Sequence, residues 1–437
     1  MVLFRGLALA AMLLTVPVAH AQFLFGRLQP PAATEANGPS LVPSVSASGK
    51  VFVFESTATN WIAASPTGSK IISVDFAAGN VVNLSTTSAG VAFNGNSFGP
   101  SASRTGRYTA FETQADNLGV GVGTTGFQIV RKDRQTGALV LASANAGGAP
   151  ASGSASGQAR NASISGDGRY VVFRSDAGNL VGGDVLGEDD AFVKDLQTGA
   201  IEAATLNAAG QFTGVGIGSL SGQSISDDGR YVVYSTSAGN VVSGVGSGTP
   251  QVYVRDLVAD TTALASRTPA GVPASSQSDL PAISPNGRFV SFRSFATNLA
   301  GGPFASRVYV HDRITLAISS VPLPVLNAVT ATGCRESDVA DNGVVVMTCF
   351  FGAGIADQAY LHIPGAAGTP FLISSDANDV PGNQPSGSRV AINANGLSMV
   401  FDSRATNLVG NDTNAASDVF ILADASVIDG LLADGFE

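Results

Sequence analysis

The sequence predicts an all-β fold, a seven-bladed β-propeller made of four-stranded antiparallel blades. One phrase recurs seven times in the 437 residues: a small polar run, a turn that ends in glycine, and an apolar strand that ends near an aromatic residue. Successive turn glycines are 53 to 62 residues apart, which is enough for four short strands and their turns. No stretch has helical periodicity, so each repeat indicates one blade around a central channel. The turn glycines are Gly49, Gly106, Gly168, Gly229, Gly287, Gly343 and Gly396.

The third repeat shows the four predicted strands most clearly. Small side chains at residues 162–165 suit a strand in the crowded channel, and Gly168 follows because its place in the turn requires a positive φ. Residues 169–173 are apolar enough for a strand that is buried on both faces. After a longer loop, residues 191–195 and 200–204 supply the third and fourth strands on either side of a Gln-Thr-Gly turn.

The chain is predicted to form a single domain, residues 22–437, in which stretches rich in Gly, Ser, Ala and Pro connect one blade to the next. The last repeat has only a short, poorly patterned candidate for a fourth strand, around residues 426–429. The apolar segment 23–25 is therefore expected to pair with the last repeat. Such pairing closes the ring and removes an exposed sheet edge.

Residues 1–21 have the features of a secretory signal peptide. Arg5 supplies a positive charge, residues 7–18 an apolar stretch, and Ala-His-Ala at 19–21 a cleavage site before Gln22. No apolar run is long enough to span a membrane, and no cysteine follows the cleavage site to carry a lipid. We expect an exported, soluble, monomeric protein of the periplasm or the cell exterior.

The charge balance argues against nucleic acid as a partner. The chain has 23 Lys and Arg residues against 33 Asp and Glu residues, and removal of Arg5 with the signal peptide leaves 22 − 33 = −11. An acidic surface with sparse basic residues repels phosphate backbones.

The two cysteines of the chain, Cys334 and Cys349, flank the turn at residues 341–343 in the sixth repeat. Hairpin pairing places them either directly opposite each other or one residue out of register. Direct opposition in an oxidising compartment gives a cross-strand disulfide, whereas a one-residue slip leaves two buried thiols on opposite faces. The chain lacks a Cys-x-x-Cys spacing, so a redox-catalytic role is not expected.

The run Ala-Ser-Ile-Ser-Gly-Asp-Gly-Arg-Tyr-Val-Val-Phe at 162–173 resembles the core phrase of the WD40-like (PD40) repeat of TolB-type β-propellers. The sequences Asn-Leu-Val at 179–181 and Asp-Leu-Gln-Thr-Gly at 195–199 are similar to those of exported bacterial proteins that carry this repeat. The resemblance covers residues 44–424. It implies a propeller that serves as a protein-binding platform, as a companion of peptidases or, in a few cases, as a lyase or hydrolase. The sixth repeat departs most, because Val-Val-Val follows Gly343 where other repeats have Arg-Tyr or Arg-Phe.

No catalytic residue is predicted. Residues 95–99 match the Gly-x-Ser-x-Gly hydrolase pattern, but they lack a following helix and are expected to form a loop between blades. Residues 121–126 match a dinucleotide-binding pattern, but they precede a strand and offer no helix N-terminus for a phosphate. His311 and His362 fall on third strands near positions where other repeats have Lys or Arg. We interpret both as variants of an exposed basic position rather than as metal ligands.

Calcium is the one cofactor that the sequence suggests. Asp412, Asn414 and Asp418 place three oxygen-bearing side chains in the loop before the last third strand, and residues 184–190 form a second acidic loop. Calcium prefers such hard oxygen ligands. Asn and Asp are also ordinary turn formers, which is the alternative explanation.

The sixth residue after each turn glycine is predicted to form a polar rim at one mouth of the channel. Each lies where a second strand enters its long loop, and these loops differ most in charge and bulk. The charged members of this set are Glu55, Glu112, Arg174, Arg293 and Asp402. They could form a ligand-binding site or, alternatively, salt bridges between adjacent blades.

These observations favour a non-enzymatic binding or scaffold protein that recognises a protein or glycan partner at one face of the propeller. The competing hypothesis is a polysaccharide- or peptide-acting enzyme in which rim carboxylates such as Glu55 and Glu112 act as acid and base. The tail Asp434-Gly435-Phe436-Glu437 is either a recognition tag or a frayed terminus.

Overall fold

The predicted all-β architecture is confirmed: seven four-stranded antiparallel sheets, each in the order first, second, third and fourth strand, form the blades of a propeller. The computed structural model describes residues 10–11, 23–31, 35–62, 67–120, 126–152, 159–184, 187–221, 223–300, 305–352, 354–365, 368–410, 412–424 and 427. The first strands of neighbouring blades contact one another and therefore line the central channel.

Blade 1 consists of β3 (Ser40–Val45), β4 (Val51–Ser56), β5 (Lys70–Asp75) and β6 (Asn80–Asn83). Blade 2 consists of β7 (Ser97–Ala102), β8 (Tyr108–Thr113), β9 (Gln128–Asp133) and β10 (Leu139–Leu141). Blade 3 consists of β11 (Ala159–Ile164), β12 (Tyr170–Ser175), β13 (Asp190–Asp195) and β14 (Ile201–Ala203). Blades 4 and 5 consist of β15 (Ile217–Ser219), β16 (Tyr231–Thr236), β17 (Gln251–Asp256) and β18 (Thr261–Leu264); and β19 (Ser278–Ile283), β20 (Phe289–Ser294), β21 (Arg307–Asp312) and β22 (Ile318–Ser320). A small hairpin, β23 (Val325–Leu326) and β24 (Val329–Thr330), precedes blade 6, which consists of β25 (Gly333–Val339), β26 (Val345–Phe350), β27 (Gln358–His362) and β28 (Phe371–Leu372). Blade 7 consists of β29 (Ser386–Ile392), β30 (Ser398–Ser403), β31 (Asp418–Asp424) and β2 (Phe23–Arg27), to which β1 (Ala10–Ala11) is added at the edge.

Opposed aromatic side chains hold the second and third strands of several blades together. Phe173 lies directly opposite Phe192, and Tyr234 lies opposite Tyr253 with ring centroids 5.8 Å apart. Each such pair is buried against apolar residues of an adjacent blade. The repeated aromatic strand end in the sequence is therefore the residue that joins blades into one core.

The turn glycine of each repeat is required by a positive φ, which is 76° at Gly168. A Cβ atom at Gly168 would also approach the Tyr108 ring of the preceding blade to 2.2 Å. Ser165, three residues earlier, accepts a hydrogen bond from the Tyr170 amide, so that the turn is fixed by both its glycine and its serine.

An arginine after the turn glycine pairs with an aspartate at the end of the third strand. In blade 3, Arg169 donates to both carboxylate oxygens of Asp195 at 2.9 and 2.6 Å, and Asp195 also accepts hydrogen bonds from the amide of Gln197 and the hydroxyl of Thr198. We call the end of the propeller that carries these pairs the turn rim. Its four equivalent pairs are Arg107–Asp133, Arg169–Asp195, Arg230–Asp256 and Arg288–Asp312.

The ring closes with strands from both ends of the chain. As predicted, residues 23–25 pair with the last repeat: β2 supplies the fourth strand of blade 7, and Phe25 lies opposite Leu422. Phe25 also stacks on Phe420 with ring centroids 5.6 Å apart. Apart from β1 and Val427, residues 1–22 and 425–437 lie outside the described residues, and with them most of the predicted signal peptide and the tail that ends at Glu437.

The basic position on the third strand is buried, which corrects the sequence interpretation of His311 and His362. Lys132 donates from Nζ to the carbonyls of Thr86 and Thr87 in the connection from blade 1, and His311, at the equivalent place in blade 5, is 3% exposed. Burial and nearby arginines lower the pKa of His311 to about 4. His362 is half-buried and lies four residues after Gln358, as Lys132 lies four residues after Gln128, so it occupies the same basic position.

Candidate functional site

The five charged rim candidates lie at one equivalent position of their blades. Each is the fifth residue of a six-residue second strand, and in most blades it lies opposite the first-strand residue that precedes a β-bulge. We call this end of the propeller the variable rim, because its cross-strand pairs differ from blade to blade. Those pairs are Leu41–Glu55, Phe98–Glu112, Arg160–Arg174, Ser219–Ser235, Asp279–Arg293 and Arg335–Thr348.

In blade 6 a disulfide lies next to the variable-rim pair. Cys334 and Cys349 are directly opposite, with Cα atoms 4.0 Å apart, and their sulfur atoms are bonded. The equivalent pairs in blades 1, 5 and 7 are serines joined by hydrogen bonds between their hydroxyl groups: Ser40–Ser56 at 3.0 Å, Ser278–Ser294 at 2.8 Å and Ser386–Ser403 at 2.7 Å.

Two rim carboxylates receive backbone amides from the next blade. The amide of Gly99 in blade 2 donates to Oε2 of Glu55 at 3.2 Å, and the amide of Asn161 in blade 3 donates to Oε1 of Glu112 at 2.9 Å. Both donors have positive φ values, 53° and 54°, at the bulges of their first strands. The bulge turns the amide towards the neighbouring blade, where the carboxylate accepts it.

Burial raises the pKa of both glutamates. For Glu55, the amide of Gly99 opposes this effect, whereas repulsion by Glu112 and Asp402 adds to it. For Glu112, the amide of Asn161 and the positive charge of Arg174 oppose the effect of burial. The structure therefore brings together Asp402, Glu55, Glu112 and Arg174, which come from the consecutive blades 7, 1, 2 and 3.

Both rim arginines form ion pairs within their own blades rather than between blades. Arg174 pairs with Asp189 at the end of the long loop of blade 3, and Arg293 binds both carboxylate oxygens of Asp279, at 2.7 and 2.6 Å. Arg293 lies in blade 5 and is separate from the other four rim candidates. Asp402 accepts hydrogen bonds from Ser388 and from the amide of Arg389, both in its own blade.

A polar cleft of about 420 Å³ opens at the variable rim of blade 3. It is lined by Arg160, Asn161, Arg174, Asp176, Gly187, Glu188 and Asp189. Arg160 is exposed and lies over the ring of Phe127 at 4.2 Å, so the cleft has an aromatic–guanidinium wall beside mixed charges.

A small cavity of about 20 Å³ lies among first-strand residues of blades 1, 5, 6 and 7, among them Ser44, Glu336 and Arg389. This volume accommodates about one water molecule.

The Gly-x-Ser-x-Gly match is not a nucleophile site. Residues 97–99 belong to the first strand β7 and not to a loop between blades, which corrects that expectation. Ser97 is buried and donates to the hydroxyl of Thr113, and neither histidine of blades 5 and 6 belongs to blade 2. Most of the dinucleotide-like match, residues 121–125, lies outside the described residues.

The acidic loop before β31 contributes to a carboxylate cluster in which Glu35 takes the place of the predicted Asn414. Asp412 and Asp418 approach Glu35, which follows β2, and one oxygen of each carboxylate lies within 4.8 Å of the others. Arg27 forms an ion pair with Asp418 at 2.8 Å. Asn414 turns its side-chain oxygen to the amide of Ala416 instead. Burial raises the pKa of Asp418 to about 6, although Arg27 opposes this effect.

Sequence reasoning missed several of these groups. Arg160 in the cleft and Arg27 and Glu35 at the ring closure are not part of the repeated phrase. Arg160 lies directly opposite Arg174, but the bulge that follows Arg160 shifts the register of the first strand, so spacing along the chain does not reveal this pairing.

Comparison with known proteins establishes the fold only. No family model matches the chain, and no curated protein matches it in sequence. An oligogalacturonate lyase in complex with manganese is 13% identical, with a TM-score of 0.53 over 94% of this chain and 95% of that chain. The β-propeller domain of the Trilobed protease from Pyrococcus furiosus is 10% identical, with a TM-score of 0.49 over 85% and 91% of the two chains.

TolB from Acinetobacter baumannii is 12% identical, with a TM-score of 0.38 over 68% of this chain. The matched region spans 59% of the length of that TolB chain. The blade topology, with the likeness over 94% of the chain to the lyase structure, places this protein in the class of β-propellers by fold. The described residues include no apolar helix of membrane-spanning length.

Proposed function

We propose that this protein is an exported, non-enzymatic binding protein of the TolB-like propeller type, which recognises a protein or glycan partner at its variable rim. The observation that supports this function is the contrast between a turn rim with repeated pairs and a rim with different chemistry in each blade. Side chains that vary on a fixed scaffold are typical of binding surfaces. We further propose that the protein acts as a monomer in the periplasm or outside the cell.

The cleft of blade 3 is the proposed centre of recognition. Its arginines, Arg160 and Arg174, can donate several hydrogen bonds, and its carboxylates can accept hydrogen bonds from hydroxyl or amide groups of a partner. Phe127 adds an aromatic surface below Arg160. This combination suits a polar glycan or a peptide segment.

A matched pair of arginine variants tests the proposal. Arg174→Ala removes a side chain from the variable rim, and Arg169→Ala removes one from the turn rim of the same blade. Binding would be measured on a glycan array and by affinity capture from periplasmic extract. We expect Arg174→Ala to lose at least tenfold in affinity at an unchanged melting temperature, and Arg169→Ala to bind normally at a lower melting temperature. Equal binding by both variants would contradict a site on the variable rim.

The second candidate function is hydrolysis or elimination on a polysaccharide or peptide by Glu55 and Glu112. The raised pKa of both carboxyl groups favours it, because a general acid must hold its proton near neutral pH. Turnover in a broad hydrolysis and lyase screen that is abolished by Glu55→Gln or Glu112→Gln would replace the binding-only proposal.

Calcium is the cofactor that we propose. Its candidate ligands are the carboxylates of Glu35, Asp412 and Asp418 at the ring closure, away from the first strands that line the channel. The binding function proposed for the variable rim does not depend on calcium.

A further inference from the structure

The charged side chains at the ring closure carry more negative than positive charge. Arg27 extends from β2, Glu35 follows it in the next loop, Asp412 lies in the loop before β31, and Asp418 is the first residue of β31. The side chains of Arg27, Asp412 and Asp418 are each 1% exposed, and that of Glu35 is 14% exposed. With all three carboxyl groups ionised, one guanidinium faces three carboxylates, so these four described side chains carry a net charge of −2.

Arg27 lies closer to the carboxylate of Asp418 than to those of Glu35 and Asp412. Its Nη1 atom lies 2.8 Å from Asp418, 3.4 Å from Glu35 and 3.8 Å from Asp412. Glu35 is further held by the amide and hydroxyl of Thr413, at 2.9 and 2.7 Å. Within the described residues, neither oxygen of Asp412 accepts a hydrogen bond. A buried carboxylate without a donor is costly, and either a proton or a further positive group relieves that cost.

The equivalent position in other blades shows that a carboxylate is not needed there for packing. Where blade 7 has Asp418, blades 2, 4 and 6 have Gln128, Gln251 and Gln358, and each glutamine accepts a hydrogen bond from a buried serine. An uncharged side chain therefore satisfies this position in three other blades. In blade 7 the position is occupied by a carboxylate that lies close to carboxylates from both ends of the chain.

We propose that a divalent cation of the calcium class binds between Glu35, Asp412 and Asp418 and links the N-terminal and C-terminal parts of the chain where the ring closes. The ligand oxygens within 4.8 Å of one another fit a shared ion with calcium–oxygen distances of 2.3–2.6 Å. A charge of +2 matches the net charge of −2 that the four side chains carry when all three carboxyl groups are ionised. Calcium is favoured over magnesium because an irregular set of carboxylates meets its flexible coordination more easily than an octahedron.

Thermal denaturation of the full chain tests this site. The protein would be freed of metal with EDTA, transferred to buffer at pH 7.5, and melted at increasing concentrations of calcium chloride or, in parallel, magnesium chloride. We expect the melting temperature to rise with calcium, with a half-maximal effect at roughly 10⁻⁴–10⁻³ M as in extracellular calcium modules, and to respond less to magnesium. Hydrogen exchange of the β2 amides should slow in calcium, because the ion holds that strand through Glu35.

Asp412→Asn keeps the shape of the side chain and removes its charge, and Asp379→Asn makes the same change in an exposed loop of blade 6. We expect Asp412→Asn to lose the calcium-dependent shift and Asp379→Asn to keep it. If Asp412→Asn fails to fold, Glu35→Gln gives the same readout at the more exposed edge of the cluster. A wild-type melting temperature that calcium leaves unchanged, or an equal shift in Asp412→Asn, would overturn the proposal.

Discussion

The turn rim repeats one Arg–Asp pair in four blades, whereas the variable rim carries a different cross-strand pair in almost every blade. Both rims are built by the same strands, so backbone geometry does not explain the contrast. At the turn rim the aspartate also accepts amides of the turn between third and fourth strands, and any other side chain would leave those donors unsatisfied. At the variable rim the side chain faces a bulge or solvent, and several chemistries satisfy it.

Side chains that repeat from blade to blade therefore stabilise the strands of each blade, whereas side chains that vary between blades are free to take part in the proposed recognition of a partner. Blade 6 is an exception at both rims. Val344 follows its turn glycine where those four blades have arginine, Ile363 stands where they have aspartate, and a disulfide lies beside its variable-rim pair. A covalent link thus occurs in one of the three blades outside the four that share the Arg–Asp pair.

The largest effect is expected from removal of this disulfide. The double variant Cys334→Ser, Cys349→Ser gives blade 6 the Ser–Ser pair that blades 1, 5 and 7 already have, so the position itself tolerates the change. Loss of a cross-link between residues separated by 15 positions should lower the free energy of unfolding by about 3 kcal/mol. Chemical denaturation measures it, and reduced wild-type protein serves as the control. An unchanged stability would mean that blade 6 holds its strands by packing alone.

A smaller effect is expected at the turn rim. Asp195→Asn breaks the bidentate pair with Arg169 and should lower the melting temperature by a few degrees at pH 7, whereas Glu112→Gln on the variable rim should leave it nearly unchanged. Hydrogen bonds from Arg169 hold the pKa of Asp195 well below its usual range. Asp195 therefore stabilises the folded protein above pH 4, and this stabilisation is lost as the pH falls below the pKa of aspartate in the unfolded chain. The difference in stability between the two proteins should begin to shrink near pH 4 and should decrease further as the pH is lowered; a difference that stays constant with pH would contradict the ion-pair explanation.

The smallest effect concerns pH dependence at Asp190, the first residue of β13. Burial, with repulsion from Asp184, Glu188 and Asp189, raises its pKa to about 7 from an ordinary value of 3.8. Between these values the folded protein binds a proton that the unfolded chain releases, so stability falls as the pH rises through this range. Asp190→Asn should reduce the loss of stability between pH 5 and pH 7.5. Melting curves of both proteins at the two pH values provide the measurement, and parallel curves would refute the assignment.

Much of the fold could be predicted because the repeat is a local pattern. The period, the turn glycines and the aromatic strand ends report on contacts that recur in every blade, and residues 23–25 were apolar enough to indicate the closing strand. The strand positions differed by a few residues, as in β11, which begins at Ala159. The burial of His311 was missed, because a basic residue on a third strand looks exposed in the sequence, whereas this position is covered in the fold, as Lys132 is by the connection from blade 1.

By itself, the sequence determined the number of blades, the order of their strands and the equivalent position of the five rim candidates, because these follow from a spacing along the chain. Only the tertiary structure decided which charges meet. Arg174 binds Asp189 of its own blade, Glu112 binds the amide of Asn161 in the next blade, and Arg27 meets Asp418 from the opposite end of the chain. Such partners depend on bulges, on long loops and on the closure of the ring. None of these features repeats with the period that identifies the fold.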